Sequence, residues 1–303
     1  FVQQQNRRLG HQRPADLAAL ERITQHLAPR GPDACGLHSQ GSLAFGHRRL
    51  KVMDLQEASG QPMVDSQLGL SLVFNGAIYN YPELRVELQA LGYQFFSEGD
   101  TEVLLKGYHA WGEALLPKLN GMFAFAVWER DRKTLFIARD RLGIKPLYLS
   151  QTAQRLRFAS TLPALLQGGD IDSALDPLAL NHYLNFHAVV PAPRTLLCGV
   201  RKLPPASWMR IDSNGAVEQQ TWWQLGFETP RDDIVLELPE WRDKVLNSLR
   251  SAVSIRQRAA VDVGVLLSGG VDSSLLVGLL RETGLENLST FSIGFDDAGG
   301  ERG

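Results

Sequence analysis

The stretch LLSGGVDSSLL, residues 266–276, limits what this chain can fold into more than any other. It joins an aliphatic run, DVGVLL (262–267), to a helical run, SSLLVGLLRETG (273–284), and a second β-type run follows at STFSIGF (289–295). A buried strand, a glycine corner, a helix and a further strand make a βαβ unit, so this end of the chain reads as α/β. The corner is also chemically suggestive. The first N–H groups of a helix have no internal partner and the helix dipole favours negative charge there. Gly269 and Gly270 remove side chains that would hold a phosphate off the backbone, and Ser268, Ser273 and Ser274 add hydroxyl donors. Asp272 repels an anion unless a cation such as Mg²⁺ bridges the two, so it is the candidate metal ligand. No lysine follows the glycines, and the string fits neither a Walker A loop, G-x-G-x-x-G nor G-x-S-x-G. A glycine pair alone equally marks a tight turn with a serine cap; the full string S-G-G-x-D-S is what favours a nucleotide site.

The rest of the chain has a different texture. Residues 43–160 read mostly as strands: SLAFGHRRLKVMDL, LSLVFNGAIYN, MFAFAVWER, TLFIARDR and LRFAS are alternating, aromatic or β-branched. Helices are expected at 17–28, at YPELRVELQALGY with Pro82 in its first turn, and at DTEVLLKGYHAWGEALL with Asp100 as N-cap. LQGGDIDSALDP (166–177) reads as a linker, SWMRIDSNGAVEQQTWW as a tight hairpin turning at Asn214–Gly215, and 238–259 as a helix with Trp241, Val245, Leu249 and Val253 on one face.

Three strings carry candidate chemistry: RGPD (30–33), GHRRLKVMD (46–54) and FNGAIYN (74–80), with EGDTEVLL (98–105) after them. Arg49 can form a fork to a carboxylate. Asn75 and the backbone N–H of Gly76 can face a developing oxyanion. Asp100 can accept from an ammonium group. Together they suit an amino-acid substrate with one amide under attack. Singly, each has a plainer reading: a surface strand residue, a hairpin turn, a helix cap.

The formal net charge is −2 and the basic clusters are interrupted by acids, as in WERDRKTLFIARDRLG, which argues against nucleic acid and an anionic membrane as partners. No apolar run reaches membrane-spanning length and FVQQQNRRLG has no signal-peptide core. With only Cys35 and Cys198 there is no disulfide framework, and a cytoplasmic setting is expected. The Phe1 start and the DDAGGERG end suggest that both ends are cut.

RGPD, NGxIYN, GDTEV, GMFAFAVWE and ARDRLGIKPLY as a set, followed by GVLLSGGVDSS, closely resemble the glutamine-hydrolysing asparagine synthase family over nearly the whole chain. The resemblance implies an N-terminal-nucleophile hydrolase αββα sandwich (α+β) of the class II glutamine amidotransferase type over 1–165, a linker and hairpin region over 166–240, and over 241–303 the opening of a truncated α/β domain of the ATP-pyrophosphatase type. It places glutamine on Arg49, Leu50, Lys51, Val52, Met53, Asn75, Gly76, Ala77 and Asp100, with Asn75 and Gly76 as the oxyanion hole. It places ATP on Leu267, Ser268, Gly269, Gly270, Val271, Asp272, Ser273, Ser274 and Ile293. The implied reaction is AMP-forming amide synthesis: glutamine is hydrolysed and its ammonia meets an acyl-adenylate made with ATP and Mg²⁺ from a carboxylate acceptor, aspartate or a dipeptide. FASTLPALL, NFHAVVPAPRT and Ala77, where the family usually has Glu, are similar to the N-acetylglutaminylglutamine amidotransferase branch, whose acceptor is a dipeptide. The family nucleophile is an N-terminal cysteine; residue 1 is Phe, so no catalytic residue is assigned. Cys35 has no obvious base beside it and Cys198 reads as a buried small residue. The fragment is therefore expected to be inactive, and the rival from another class is a non-catalytic protein that senses glutamine or a nucleotide.

Overall fold

The computed structural model describes residues 4–5, 16–153, 155–227, 236–285 and 287–294. The two stretches read as cut ends, 1–10 and 296–303, lie outside these residues except for Gln4 and Gln5. The chain divides into two compact units, Phe1–Leu225 and Gly226–Gly303.

In the first unit the elements run β1 (Gln4–Gln5), α1 (Leu17–His26), β2 (Ala34–Gln40), β3 (Leu43–Arg49), β4 (Met63–Asp65), β5 (Leu70–Ile78), α2 (Tyr81–Ala90), α3 (Asp100–Trp111), β6 (Gly121–Glu129), β7 (Thr134–Arg139), β8 (Tyr148–Gln151), β9 (Arg155–Ala159), α4 (Leu162–Leu166), α5 (Pro177–Asn185), β10 (Arg201–Lys202), β11 (Ser207–Ile211) and β12 (Val217–Thr221). A six-stranded sheet has the order β12-β11-β7-β6-β5-β4; a second sheet has the order β1-β9-β8-β10, and β2 and β3 form a separate hairpin.

Strand alternation builds the layers. On β5, β6 and β7, Leu72, Phe74, Phe123, Phe125, Val127 and Phe136 face one way and pack under α2 and α3 with Leu84, Leu88, Val103 and Leu104. The intervening Val73, Ala124, Ala126, Trp128, Leu135 and Ile137 face the other way, against Leu149, Leu156 and Phe158 of the second sheet and Phe45 of β3. Beyond that sheet, Leu20 and Ile23 of α1 and Ala164 and Leu165 of α4 pack on Ala44 and Ala159. The result is the helix–sheet–sheet–helix sandwich that the sequence implied.

Four local expectations are corrected. The helix expected over 100–116 ends at Trp111, because Gly112 takes φ +56°, and a 3-10 turn carries on to Lys118. Gly99, not Asp100, is its N-cap. The 207–223 hairpin forms, but its loop spans 212–216: the Asp212 carboxylate accepts from the N–H groups of Asn214 and Ala216, and only Gly215 has positive φ. Cys198 is exposed, since its turn lies at the surface with its N–H donated to Ala174 O. Within 166–240, expected as a linker and hairpin region, β11 pairs with β7 inside the large sheet, and the first compact unit runs through Leu225.

One buried charge pair anchors α3. Glu102 is fully buried, pairs with Lys106 one turn on, and accepts from the N–H groups of Phe96 and Ser97 and from the Ser97 hydroxyl. Glu102→Ala would strand the Lys106 ammonium in the interior, at a cost of roughly 3–5 kcal/mol. Thermal unfolding is expected to show a melting point lower by roughly 10 °C.

The second unit contains α6 (Leu238–Arg256), β13 (Gly264–Leu266), α7 (Val271–Glu282) and β14 (Ser289–Phe291). β13 and β14 pair in parallel around α7, as the βαβ reading requires. Val253, Leu279 and Leu280 form its core with Leu246, Leu249 and Val265, whereas Trp241 and Val245, expected on the packed face of α6, are exposed. Among the described residues no helix is long and apolar enough to cross a membrane.

Candidate functional site

A cleft of about 440 Å³ opens in the first unit, walled by β3 and the 50–54 loop after it, by β5 and by the start of α3. Arg49, Leu50, Val52, Met53, Asn75, Gly76, Ala77 and Asp100 all line it. Of the nine residues expected to hold glutamine, only Lys51 is not on the wall: its ammonium pairs with Glu57 and its N–H donates to Asp33.

Each side chain is placed by a nearby bond. Arg49, at the end of β3, is buried; its guanidinium donates to Gln56 O at 2.9 Å and Asp54 O at 2.5 Å, which ties down the loop after the strand. Two of its five N–H donors are thereby spent, so the free two-pronged fork expected of it is narrowed to the donors that remain. Asp100 is buried and its Oδ2 accepts from Ile78 N at 2.9 Å. Burial pushes its carboxyl up to about 6, against the bonds from backbone N–H groups and the Arg49 charge, which pull it down.

Asn75 and Gly76 lie in the middle of β5, paired with Ala124 and Phe123, which disposes of the hairpin-turn reading. Their edge is informative. Phe74 N donates to Gln61 Oε1, Phe74 O accepts from His47 Nε2, and Ile78 N donates to Asp100, all away from β6. Because backbone polar groups alternate edges along a strand, the N–H of Gly76 falls on this same edge, between the two bonded positions. β4 pairs only with Leu70, Ser71 and Leu72, so no strand among the described residues covers that edge. A Cβ on Gly76 would lie 2.1 Å from Met122 O, which is why only glycine fits there.

Other wall residues carried no signal of their own in the sequence. His47 is held neutral: burial lowers its pKa to about 4 despite its bond to Phe74 O. Asp54 stays below the usual carboxylate range; burial raises it, but bonds from Ser59 and from the N–H groups of Gln56 and Glu98, together with the Arg49 charge, outweigh that. Lys145 is lowered by burial and by the Arg30 cation. These residues come together only through tertiary contact, although GHRRLKVMD contains the first two. Cys35 lies on exposed β2 opposite Arg48, and neither it nor Cys198 lines the cleft.

The second unit holds the glycine corner. Gly270 caps α7 without a side-chain bond to the helix, and Gly269 has φ +81°. Among the described residues, a Cβ on Gly269 would meet nothing within 4 Å, and one on Gly270 only Ser268 Oγ at 3.4 Å, so they leave the space above the corner open. Ser268 and Ser273 hydroxyls lie 3.1 Å apart, Ser274 Oγ donates to Gly270 O, and Asp272 is exposed in the first turn. Leu267 N donates to Phe291 O, and Ile293 is exposed just past β14. Open helix N–H groups, a positive-φ glycine, hydroxyls and one carboxylate fit a phosphate group with a bridging cation.

A glutamine amidotransferase domain model matches residues 7–223 and an asparagine synthase model matches 244–302. Asparagine synthetase [glutamine-hydrolyzing] 1 of Bacillus subtilis is 38% identical over 92% of this chain, and a putative asparagine synthetase [glutamine-hydrolyzing] of Mycobacterium bovis is 37% identical over 94%. The amidase chry2 of Gibberella zeae is 31% identical over 93%. The chain spans less than half the length of these relatives, 43%, 45% and 43%. Among solved structures, the glutamine phosphoribosylpyrophosphate amidotransferase of Bacillus subtilis superposes with a TM-score of 0.53 at 16% identity, over 96% of this chain and 64% of that one, a likeness of fold.

Proposed function

The chain belongs to the glutamine amidotransferases of the asparagine synthetase type, and from that premise we propose that its first unit binds glutamine for amide hydrolysis while its second opens a site for Mg²⁺ and ATP. The observation that carries the first half is the convergence of a cation, a carboxylate and an open strand edge on one cleft. Arg49 takes the α-carboxylate through its remaining donors, Asp100 takes the α-ammonium, and Gly76 N–H with the Asn75 amide takes the oxyanion that forms as the side-chain amide is attacked. Leu50, Val52, Met53 and Ala77 shape the aliphatic stretch between. Ala77 contributes no polar contact.

In the second unit the N–H groups of the first turn of α7, with Ser268, Ser273 and Ser274, would hold a phosphate group, and Asp272 its Mg²⁺. Among the described residues no cluster of three His, Cys, Asp or Glu forms a metal cage, so phosphate oxygens and water would complete that coordination. ATP there would activate an acceptor carboxylate as its adenylate, and ammonia from the first site would displace AMP. Aspartate is the acceptor most in keeping with the relatives' names. A dipeptide carboxylate is the second reading, favoured by Ala77 and the strings 158–166 and 185–195; product analysis with each acceptor separates them.

Neither Cys35 nor Cys198 lines the cleft, and no nucleophile is assigned among the described residues. The expected result for the purified chain is saturable glutamine binding by calorimetry with no glutamate release above the enzyme-free rate. Release that disappears on Cys35→Ser would make Cys35 the nucleophile and overturn this assignment. Absence of any glutamine binding would favour the nucleotide-sensing alternative.

The Asp100 carboxyl adds a pH signature. Its pKa of about 6 is raised by burial, so below pH 6 the group is neutral and loses its attraction for an ammonium ion. Glutamine affinity is expected to be flat above pH 7 and to fall as pH drops through 6. Bound ammonium favours the ionised form, so the midpoint in the complex should lie lower than in the free protein. Titration calorimetry at pH 5, 6, 7 and 8 measures it; an affinity independent of pH in this range would remove Asp100 from the ammonium site.

A further inference from the structure

Away from the cleft, the outer face of β8 and β9 carries a cluster of cations that the glutamine reading leaves unused. We propose that the cavity walled by Arg155, Arg157 and Ser150 binds a small phosphate-type oxyanion. Arg155 and Arg157 alternate on β9 and so share one face of the sheet; Ser150 of β8 stands directly opposite Arg157. The alternate residues of the strand, Leu156 and Phe158, fill the core on the other side. A cavity of about 210 Å³ lies over this face, lined by Ser150, Thr152, Arg155, Arg157 and Asp170, none of which lines the glutamine cleft.

Arg157 is the anomaly. Its relative exposure is 3%, yet among the described residues only Nη1 is bonded, to Gly169 O; Nε and Nη2 are buried and have no hydrogen-bond partner there. The nearest carboxylate oxygen, Asp16 Oδ2, is 3.9 Å from Nη2, too far for a hydrogen bond. Among the described residues the Arg155 guanidinium pairs with Asp170 alone, at 3.7 Å, and the Asp170 carboxylate is almost fully exposed. Burial lowers the pKa of Arg157 and the Arg155 and Arg22 charges lower it further, against Asp16 and Asp170, so the site holds cations close together. Buried donors left without acceptors are costly, and an anion bridging the two guanidinium groups would relieve both the missing bonds and the repulsion. The spare donors of Arg155, Arg157 and Ser150 outnumber what the two oxygens of a carboxylate can accept, which favours the several oxygens of a phosphate group. Part of Arg157 already serves the fold: with Arg22, which donates to Gln167 O, it satisfies carbonyls just past α4. Arg155 has no such duty, and it is the residue to change.

The test is binding of inorganic phosphate to the purified chain, followed by phosphorus-31 line broadening and calorimetry at constant ionic strength with sodium chloride. Saturable binding is expected, weakened at least tenfold in Arg155→Gln and severalfold in Ser150→Ala, with glutamine affinity unchanged in both. Equimolar acetate should not displace the phosphate; displacement would show the site to be a carboxylate site and overturn the phosphate assignment. Binding equally strong in Arg155→Gln, or no saturable binding by the parent chain, would overturn the site itself. Because glutamine is measured in the same samples, failure of this site is distinguishable from failure of the cleft.

Discussion

Asp100→Asn is expected to weaken glutamine binding at least about 30-fold and to leave the protein as stable as before or more so. The substitution keeps an oxygen to accept from Ile78 N and keeps the volume, but removes the charge. Truncating one member of a buried charge pair across a binding interface costs about 2 kcal/mol or more, which converts to that factor. The stability side has its own sign. The folded carboxyl titrates at about 6 against 3.8 for the ordinary group, so the folded protein holds its proton more tightly than the unfolded chain. Its favourable contribution is complete below pH 3.8 and is lost as pH rises through 6. Asparagine escapes that loss. The melting point of Asp100→Asn should match the parent near pH 4 and equal or exceed it at pH 8. A purely structural carboxylate predicts the opposite pattern: a lower melting point at pH 8 with glutamine affinity intact.

Asp272→Ala should remove ATP–pyrophosphate exchange by at least about 100-fold, measured in a protein that carries this chain together with the further length its relatives have. A cation held by that carboxylate would supply several kcal/mol of charge stabilisation to the phosphoryl oxygens, and a loss of that size is about two powers of ten in rate. Stability should barely move. Asp272 is exposed at the start of α7, where an acidic side chain adds about 0.3–1 kcal/mol through the helix dipole. Glutamine binding, which belongs to the other unit, should be unchanged. Undiminished exchange would leave Asp272 as a helix-start residue only.

What the sequence by itself determined is what local chemistry dictates. The alternation along β5, β6 and β7 assigned every second residue to one layer, and the glycine corner between β13 and α7 required its turn, because a positive φ at Gly269 leaves few other residues possible. The strings GHRRLKVMD, NGxIYN and GDTEV carry part of the cleft wall, including Arg49, Asn75, Gly76 and Asp100. Tertiary structure decided which of the possible roles those residues take. Asn75–Gly76 has the composition of a hairpin turn, and only the pairing of β5 with β6 makes it the centre of a strand with one open edge. Asp100 has the look of a helix cap, and only the tertiary fold buries its carboxylate against Ile78 N of β5, where burial raises its pKa although the bond itself lowers it. Residues 167–176 run as a loop between α4 and α5, in keeping with their polar, glycine-rich composition; that composition is a local signal and says nothing of β11, which joins the large sheet through contacts with β7, some seventy residues earlier in the chain. Spacing along a chain fixes the face on which a side chain stands; only long-range burial fixes whether that face meets solvent, a core or a ligand, because desolvation depends on every neighbour at once.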